Sequence, residues 1–449
     1  MNNTLIKNAT LINEGVTRYA DVLIVNGRIE SIASDISVNA NYDVIDAKGL
    51  WLIPGMIDDQ VHFREPGLTH KGTIATESAA AVAGGITSFM EMPNVSPPTT
   101  TRQALEDKFQ RAAQHSYANY SFWFGATNDN LEELRALKAD EACGVKVFMG
   151  ASTGNMLVDN EQVLDKIFQH APCIVATHCE DTPLIKINEV IWRDKYGEDI
   201  PAKEHAHIRS VAACLKSSSL AVSLAKKYGT RLHVLHISTA DELKLFEAAP
   251  TLHDLKKKTI TAEACVHHLF FNQNDYEILG NKLKTNPSVK ESSHQQALWD
   301  AVKEGVIDII ATDHAPHLPE EKSNPYSSAP SGVPLVQHAL PALFDLCHRG
   351  IFTPEQVVSK TSHAVAERFQ LKDRGYIREG YWADLVLIDP QASLKVRADE
   401  LLYKCGWSPF EGRALSGGQV VMTLVNGNVV WRDNKLVSPP SGMKLSFYR

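Results

Sequence analysis

The sequence predicts an α/β protein: a closed (β/α)8 barrel of the TIM type, carrying a small β-sandwich built from both chain termini. Three observations point there. Eight short apolar runs alternate with helical stretches, hairpin signals are confined to the two ends, and polar side chains of metal-binding type sit at the ends of the apolar runs. Strand ends that converge from distant parts of a chain are how a barrel assembles a site.

A chain of 449 residues can bury one large domain and a smaller one. Hydrophobic and charged fractions of 44% and 22% are those of an ordinary globular protein. The formal net charge of −8 argues against nucleic acid or an anionic membrane as the partner, leaving a small molecule. No run approaches the roughly 20 apolar residues that cross a bilayer, and the first residues lack the pattern of a signal peptide. The seven cysteines are scattered, odd in number and never in a CxxC pair. Free thiols in a cytoplasmic protein account for them better than disulfides or a zinc-thiolate site.

In chain order, residues 5–9, 21–25 and 29–32 read as short strands, with Asn26-Gly27 as a hairpin turn. At the other end 383–388, 420–425 and 428–431 do the same around Asn426-Gly427. The expected division is 1–53 and 379–449 for the sandwich and 54–378 for the barrel. The barrel strands are expected at 52–57, 86–92, 121–126, 144–149, 173–178, 231–237, 259–264 and 307–311. Helical stretches at 76–84, 131–137, 161–169, 208–228 and 294–304 lie between them.

Five patches carry the chemistry: Gln60-Val61-His62-Phe63-Arg64, Gly144-Val145-Lys146-Val147-Phe148, Thr177-His178-Cys179-Glu180-Asp181, His233-Val234-Leu235-His236 and Thr312-Asp313-His314-Ala315-Pro316-His317. His62 ends the first barrel strand. Lys146 lies inside the fourth, where an unpaired ammonium is costly. A buried carboxylate partner, a depressed pKa, or conversion to a carbamate by carbon dioxide would each resolve that cost. His178 and His236 end two successive strands, and imidazole suits zinc and similar metals. His233, three residues earlier on its strand, reads as structural. Asp313 ends the last strand, where it is suited to hold a metal and shuttle a proton; helix N-capping is the blander reading.

These patches, with Pro54-Gly55-Met56-Ile57-Asp58, Met92-Pro93-Asn94 and Gly380-Tyr381-Trp382-Ala383-Asp384, resemble the amidohydrolase superfamily over nearly the whole chain, and within it the dihydroorotases. The resemblance implies one or two Zn2+ ions in the barrel mouth. Lys146 would be the N6-carboxylated bridge, His178 and His236 would hold one metal, and His62 and Asp313 the other. Asp313 would be catalytic. Arg64 and Asn94 would clamp the substrate's carboxylate with help from His317. Asn286 would contact the ring, and Ser331 and Gly332 would offer backbone groups. The implied reaction is reversible hydrolysis of dihydroorotate to N-carbamoyl-L-aspartate, a step of pyrimidine synthesis, in a protein that is often a homodimer.

Three departures stand out. Gln60-Val61-His62 replaces the family's His-x-His, which weakens or removes the metal held by His62. Asn286-Pro287-Ser288-Val289-Lys290 and Met92-Pro93-Asn94-Val95 are smaller changes. Gln60 motivates an alternative, a catalytically impaired scaffold related to dihydroorotases. A different cyclic amidase, such as an allantoinase, is the other.

Overall fold

The computed structural model describes residues 3–150 and 156–449. Its centre is an eight-stranded parallel sheet of β6 (Met56–Val61), β7 (Ile86–Glu91), β8 (Asn119–Gly125), β9 (Gly144–Phe148), β10 (Val175–His178), β11 (Leu232–Val234), β12 (Ile260–Cys265) and β13 (Ile309–Ala311), each paired to the next. The ends meet through side chains more than through a ladder. His62 N–H donates to the His314 carbonyl (2.7 Å), and the Asp58 carboxylate takes both the Thr312 N–H (3.1 Å) and its hydroxyl (2.6 Å). That seam brings β6 and β13 together, and with them the residues that follow each strand.

The two chain ends form one continuous sheet. Its strands are β1 (Asn3–Asn13), β2 (Val16–Val25), β3 (Arg28–Ala33), β4 (Tyr42–Asp46) and β5 (Trp51–Pro54) from the N-terminal end, with β14 (Leu385–Asp389), β17 (Gln419–Val425), β18 (Asn428–Arg432) and β19 (Lys435–Leu436) from the C-terminal end. β15 (Ser393–Lys395) and β16 (Ala414–Ser416) make a separate ribbon. Antiparallel pairing of β14 with β5 joins the two contributions. Ile6, Leu11, Val22, Ile24, Leu385, Leu387 and Leu424 give this sheet an apolar core of its own. The sandwich expected from the sequence is thus a single hydrogen-bonded sheet of nine strands.

Two expected elements are each divided, for local reasons. The run 52–57 is two strands in two sheets, parted at Gly55, where a Cβ would come within 2.2 Å of the Thr87 side chain. The helix expected at 208–228 begins at Val211. Arg209 leaves the helical backbone (φ −89°, ψ 64°), and Ser210 then caps the new helix by accepting from Ala213 N–H.

A buried polar knot ties sheet to barrel. Asp384 is ion-paired with Arg374 and accepts from Asn119 Nδ2 (3.1 Å) on β8 and from Asn426 N–H (2.8 Å). Asn119 Oδ1 in turn takes Asn426 Nδ2 (2.8 Å) and Met443 N–H (2.9 Å) of the C-terminal tail. Asp384→Ala strands the Arg374 charge away from water, so unfolding free energy is expected to fall by about 3–5 kcal/mol in chemical denaturation. Arg135→Ala, at an exposed pair with Glu132, is expected to change it by less than about 1 kcal/mol.

Candidate active site

A cavity of about 150 Å³ opens at the C-terminal ends of the barrel strands. Its wall includes all eleven residues singled out from the sequence: His62, Arg64, Asn94, Lys146, His178, His236, Asn286, Asp313, His317, Ser331 and Gly332. Gln60 and Phe148 complete much of the rest. Three of these residues hold left-handed backbone, Arg64 at φ 71°, His236 at 41° and Asp313 at 50°. Non-glycine residues adopt that region at a cost and tend to do so where side chains must be aimed. His236 also explains why β11 stops at Val234 while the sequence pattern runs on to residue 237.

His178 and His236 converge, with His178 Nδ1 3.0 Å from His236 Nε2. Glu180 Oε2 lies 2.9 Å from His178 Nε2, and Arg209 grips the same carboxylate at 2.7 and 3.0 Å. Burial alone would raise the Glu180 pKa, but Arg209 and His178 hold it well below the usual carboxylate range. Glu180 is therefore an anion, so His178 Nε2 carries the ring proton and Nδ1 presents a lone pair toward His236. His236 Nδ1 has no hydrogen-bond partner. Burial lowers the proton affinity of both rings, well below the ordinary value for His236.

A second pair faces it. Asn94 Oδ1 lies 2.8 Å from His62 Nδ1, and His62 Nε2 lies 3.2 Å from Asp313 Oδ1. Burial lowers the His62 pKa, so the ring stays neutral. Burial raises the Asp313 pKa, yet His62 and neighbouring cations bring it below the ordinary range. An imidazole nitrogen and an ionised carboxylate at that distance are a donor pair that a divalent cation between them would take up. Gln60 turns its amide nitrogen to the same Asp313 Oδ1 (3.1 Å) and accepts the Cys265 thiol on Oε1 (3.7 Å).

Lys146 stands among these groups, near enough to depress proton binding at His62, His178 and His236. It is 1% exposed and lies over the Phe148 ring at 4.7 Å. Among the described residues Nζ has neither a hydrogen bond nor a carboxylate within ion-pair distance, so no salt bridge answers its burial. That burial, partly offset by Asp313 and Glu263, lowers its pKa to about 8. An amine poised this way is a nucleophile near neutral pH.

Arg64 adds a cation to the wall, and Lys71, paired with Glu321 (2.7 Å), stands behind His317. Arg64 Nε donates to the Pro316 carbonyl (3.1 Å) and Nη2 lies 3.1 Å from His317 Nε2, which leaves Nη1 without a partner among the described residues. Burial lowers its pKa to about 10, so it remains charged. Lys71 Nζ reaches His317 Nδ1 (3.1 Å), and the Ser331 carbonyl lies 3.0 Å from Nε2. Asn286 Oδ1 is buried with no hydrogen-bond partner. Gly332 already spends its N–H on the Lys284 carbonyl (2.9 Å) and its carbonyl on Lys322 (3.0 Å).

Sequence reasoning missed Lys71, Arg209, the role of Glu180 and the bonds by which Gln60 engages Asp313 and Cys265. It also missed Cys265, His267 and His268, although Cys-x-His-His directly after a strand was a visible signal. His233 is buried in an ion-paired cluster with Asp59 (3.2 Å) and Glu263 (3.4 Å), as befits a structural role. His314 points to Glu77 (2.8 Å).

Residues 51–430 match the amidohydrolase family. The chain belongs to that family. It is 33% identical over 442 residues to a dihydroorotase of Methanosarcina acetivorans, covering 97% of this chain and 93% of the relative. It is 34% identical over 435 residues to a dihydroorotase of Halobacterium salinarum (95% and 96% covered), and 30% identical over 445 residues to an allantoinase of Rubrobacter xylanophilus (98% and 96%). Among solved structures, the L-hydantoinase (dihydropyrimidinase) of Arthrobacter aurescens superposes with a TM-score of 0.92 at 27% identity, covering 99% of this chain and 100% of that one. The amidohydrolase barrel and the sheet built from both ends are shared with that structure.

Because Glu180 fixes which nitrogen of His178 is bare, Glu180→Gln is expected to weaken retention of a divalent cation roughly 10–100-fold. Competition for zinc against a chromogenic chelator measures it.

Proposed function

We propose that this amidohydrolase is a dihydroorotase, opening and closing the cyclic amide of dihydroorotate. The observation that carries the reading is Arg64, a buried guanidinium with Nη1 free, set beside the two facing ligand pairs. A planar guanidinium suits a carboxylate, and dihydroorotate has one where allantoin and the dihydropyrimidines have none. The dihydroorotase relatives support the same substrate.

The donor set fits zinc: neutral imidazoles with bare nitrogens and an ionised aspartate. His178 and His236 would hold one ion, His62 and Asp313 another, with Lys146 between them. Lys146 would add its neutral amine to carbon dioxide, forming an N–C bond and releasing one proton, so that a carboxylate replaces a cation at the centre of the site. A bound divalent cation supplies Lewis acidity, lowering the pKa of water from near 16 toward about 7 and polarising a carbonyl oxygen.

The chain's own groups do the rest. Arg64 and Asn94, with His317 assisting, would hold the substrate carboxylate, and Asn286 Oδ1 would accept a ring N–H. Fixing the ring this way presents one face of the amide carbonyl to the attacking water. Asp313 takes the proton that water sheds as its C–O bond forms, then returns it to the ring nitrogen as the C–N bond breaks. Gln60 withdraws one lone pair of Asp313, so the His62 side should hold its ion less firmly than the His178 side. In the cell the ring-closing direction would serve pyrimidine synthesis in the cytoplasm.

Purified full-length protein supplied with zinc and bicarbonate is expected to turn over dihydroorotate and not allantoin. No turnover of any cyclic amide under those conditions would make the impaired scaffold the better reading. Arg64→Ala is expected to lower kcat/KM for dihydroorotate by roughly 10²–10³-fold, the loss typical of one partner in a desolvated charge pair. An unchanged value would remove the clamp assignment. Gln60→His is expected to raise bound zinc per chain and slow its loss to a chelator.

A further inference from the structure

β12 runs directly into a one-turn helix, Val266–Phe270, and this turn gathers three groups that the reaction above does not use. One ligand atom each from Cys265, His267 and His268 lies within 4.8 Å of the others, and all three residues are buried. His268 Nε2 donates to the Pro287 carbonyl (3.1 Å), so its lone pair is on Nδ1, which has no partner. Among the described residues neither ring nitrogen of His267 meets hydrogen-bond geometry, although the Thr312 backbone is near enough to raise its proton affinity. A buried imidazole normally finds at least one hydrogen bond, and two such rings with centroids 4.0 Å apart do not serve each other here. The Cys265 thiol reaches Gln60 Oε1 (3.7 Å) and Glu263 Oε1 (3.5 Å).

The geometry points to a cation site at Cys265, His267 and His268, taking a borderline divalent ion of the zinc class as one thiolate and two imidazoles. Thiolate with imidazole is the donor set such ions select. On binding, the Cys265 S–H bond breaks, a sulfur–cation bond forms, and the proton passes to Glu263 Oε1, which already accepts the thiol's hydrogen bond. The site lies one side chain behind the cavity, because Gln60 lines the cavity and takes the thiol. It uses other side chains than the His62–Asp313 and His178–His236 pairs, although His267 acts on the charge state of both Asp313 and His236. It sits against Gln60, whose amide oxygen takes the thiol. The inference does not depend on the substrate assigned above.

Metal-stripped full-length protein titrated with Co2+ tests it. Wild type is expected to develop a near-ultraviolet thiolate-to-cobalt charge-transfer band, and His178→Ala, which breaks the other histidine pair, is expected to keep it. Cys265→Ser should lose the band and one bound ion per chain, and His267→Gln should weaken it. A wild-type protein with no such band would overturn the site, as would a band that survives in Cys265→Ser. Should the serine variant not fold, zinc-edge X-ray absorption on the wild type decides: a sulfur neighbour at about 2.3 Å supports the site, and a shell of nitrogen and oxygen alone overturns it.

Discussion

The mouth of the barrel is organised around an amine buried without a counter-ion. Lys146 has carboxylates in its field, but none close enough to pair with it, and the imidazoles around it are themselves kept neutral by burial. A protonated lysine there would meet desolvation with no local compensation. The acceptors around it are only partly met: Asp313 takes the Gln60 amide, and His178 Nδ1 faces His236 Nε2. Amine and lone pairs present the same problem from opposite sides. Under the proposed function a carbamate on Lys146 with bound cations would answer both, the added carboxylate and the ring nitrogens serving the same ions.

The geometry that makes this arrangement work is set at the barrel seam. β6 and β13 are held by Asp58 on Thr312 and by the His62 amide on the His314 carbonyl. Asp58 is buried, and burial raises its pKa well above the ordinary value; its two bonds to Thr312 are what keep it engaged across the seam. His62 and Asp313, 251 positions apart in sequence, become neighbours because those strands do. The left-handed turns at Arg64 and Asp313 follow immediately and aim the side chains inward. Strain at the site is thus held by the closure of the fold.

Most of this was legible in the chain. Each barrel strand is a short apolar run, and a polar residue just past such a run has few places to go except the mouth of the barrel, so every candidate residue lines one cavity. What was not legible depends on contacts that periodicity does not encode. The division at Gly55 arises from the approach of Thr87, a residue in another strand. The Arg209 break follows from a guanidinium bound to Glu180, and the apolar pattern around residue 208 continues as though the helix did too. Lys71 reaches His317 from a loop with no regular structure. The hairpin signals at both ends were read correctly, but that their strands form one sheet depends on the β5–β14 register, which neither run reveals alone.

Gln60 is best understood through the direction in which its amide points. An imidazole at this position would offer a lone pair toward the space between His62 and Asp313. The glutamine does the reverse, sending N–H to Asp313 Oδ1 and turning its oxygen to Cys265. One neutral donor on Asp313 partly satisfies that carboxylate in the absence of an ion, and so reduces what an ion would gain there. The opposite wall has no such substitute: Glu180 and Arg209 lock His178 with its lone pair exposed, and His236 is left without a partner on Nδ1. The two halves of the site are therefore unequal by construction. Under the proposed function the half built from His178 and His236, with no amide set against it, would hold its ion more firmly than the half that Gln60 reaches.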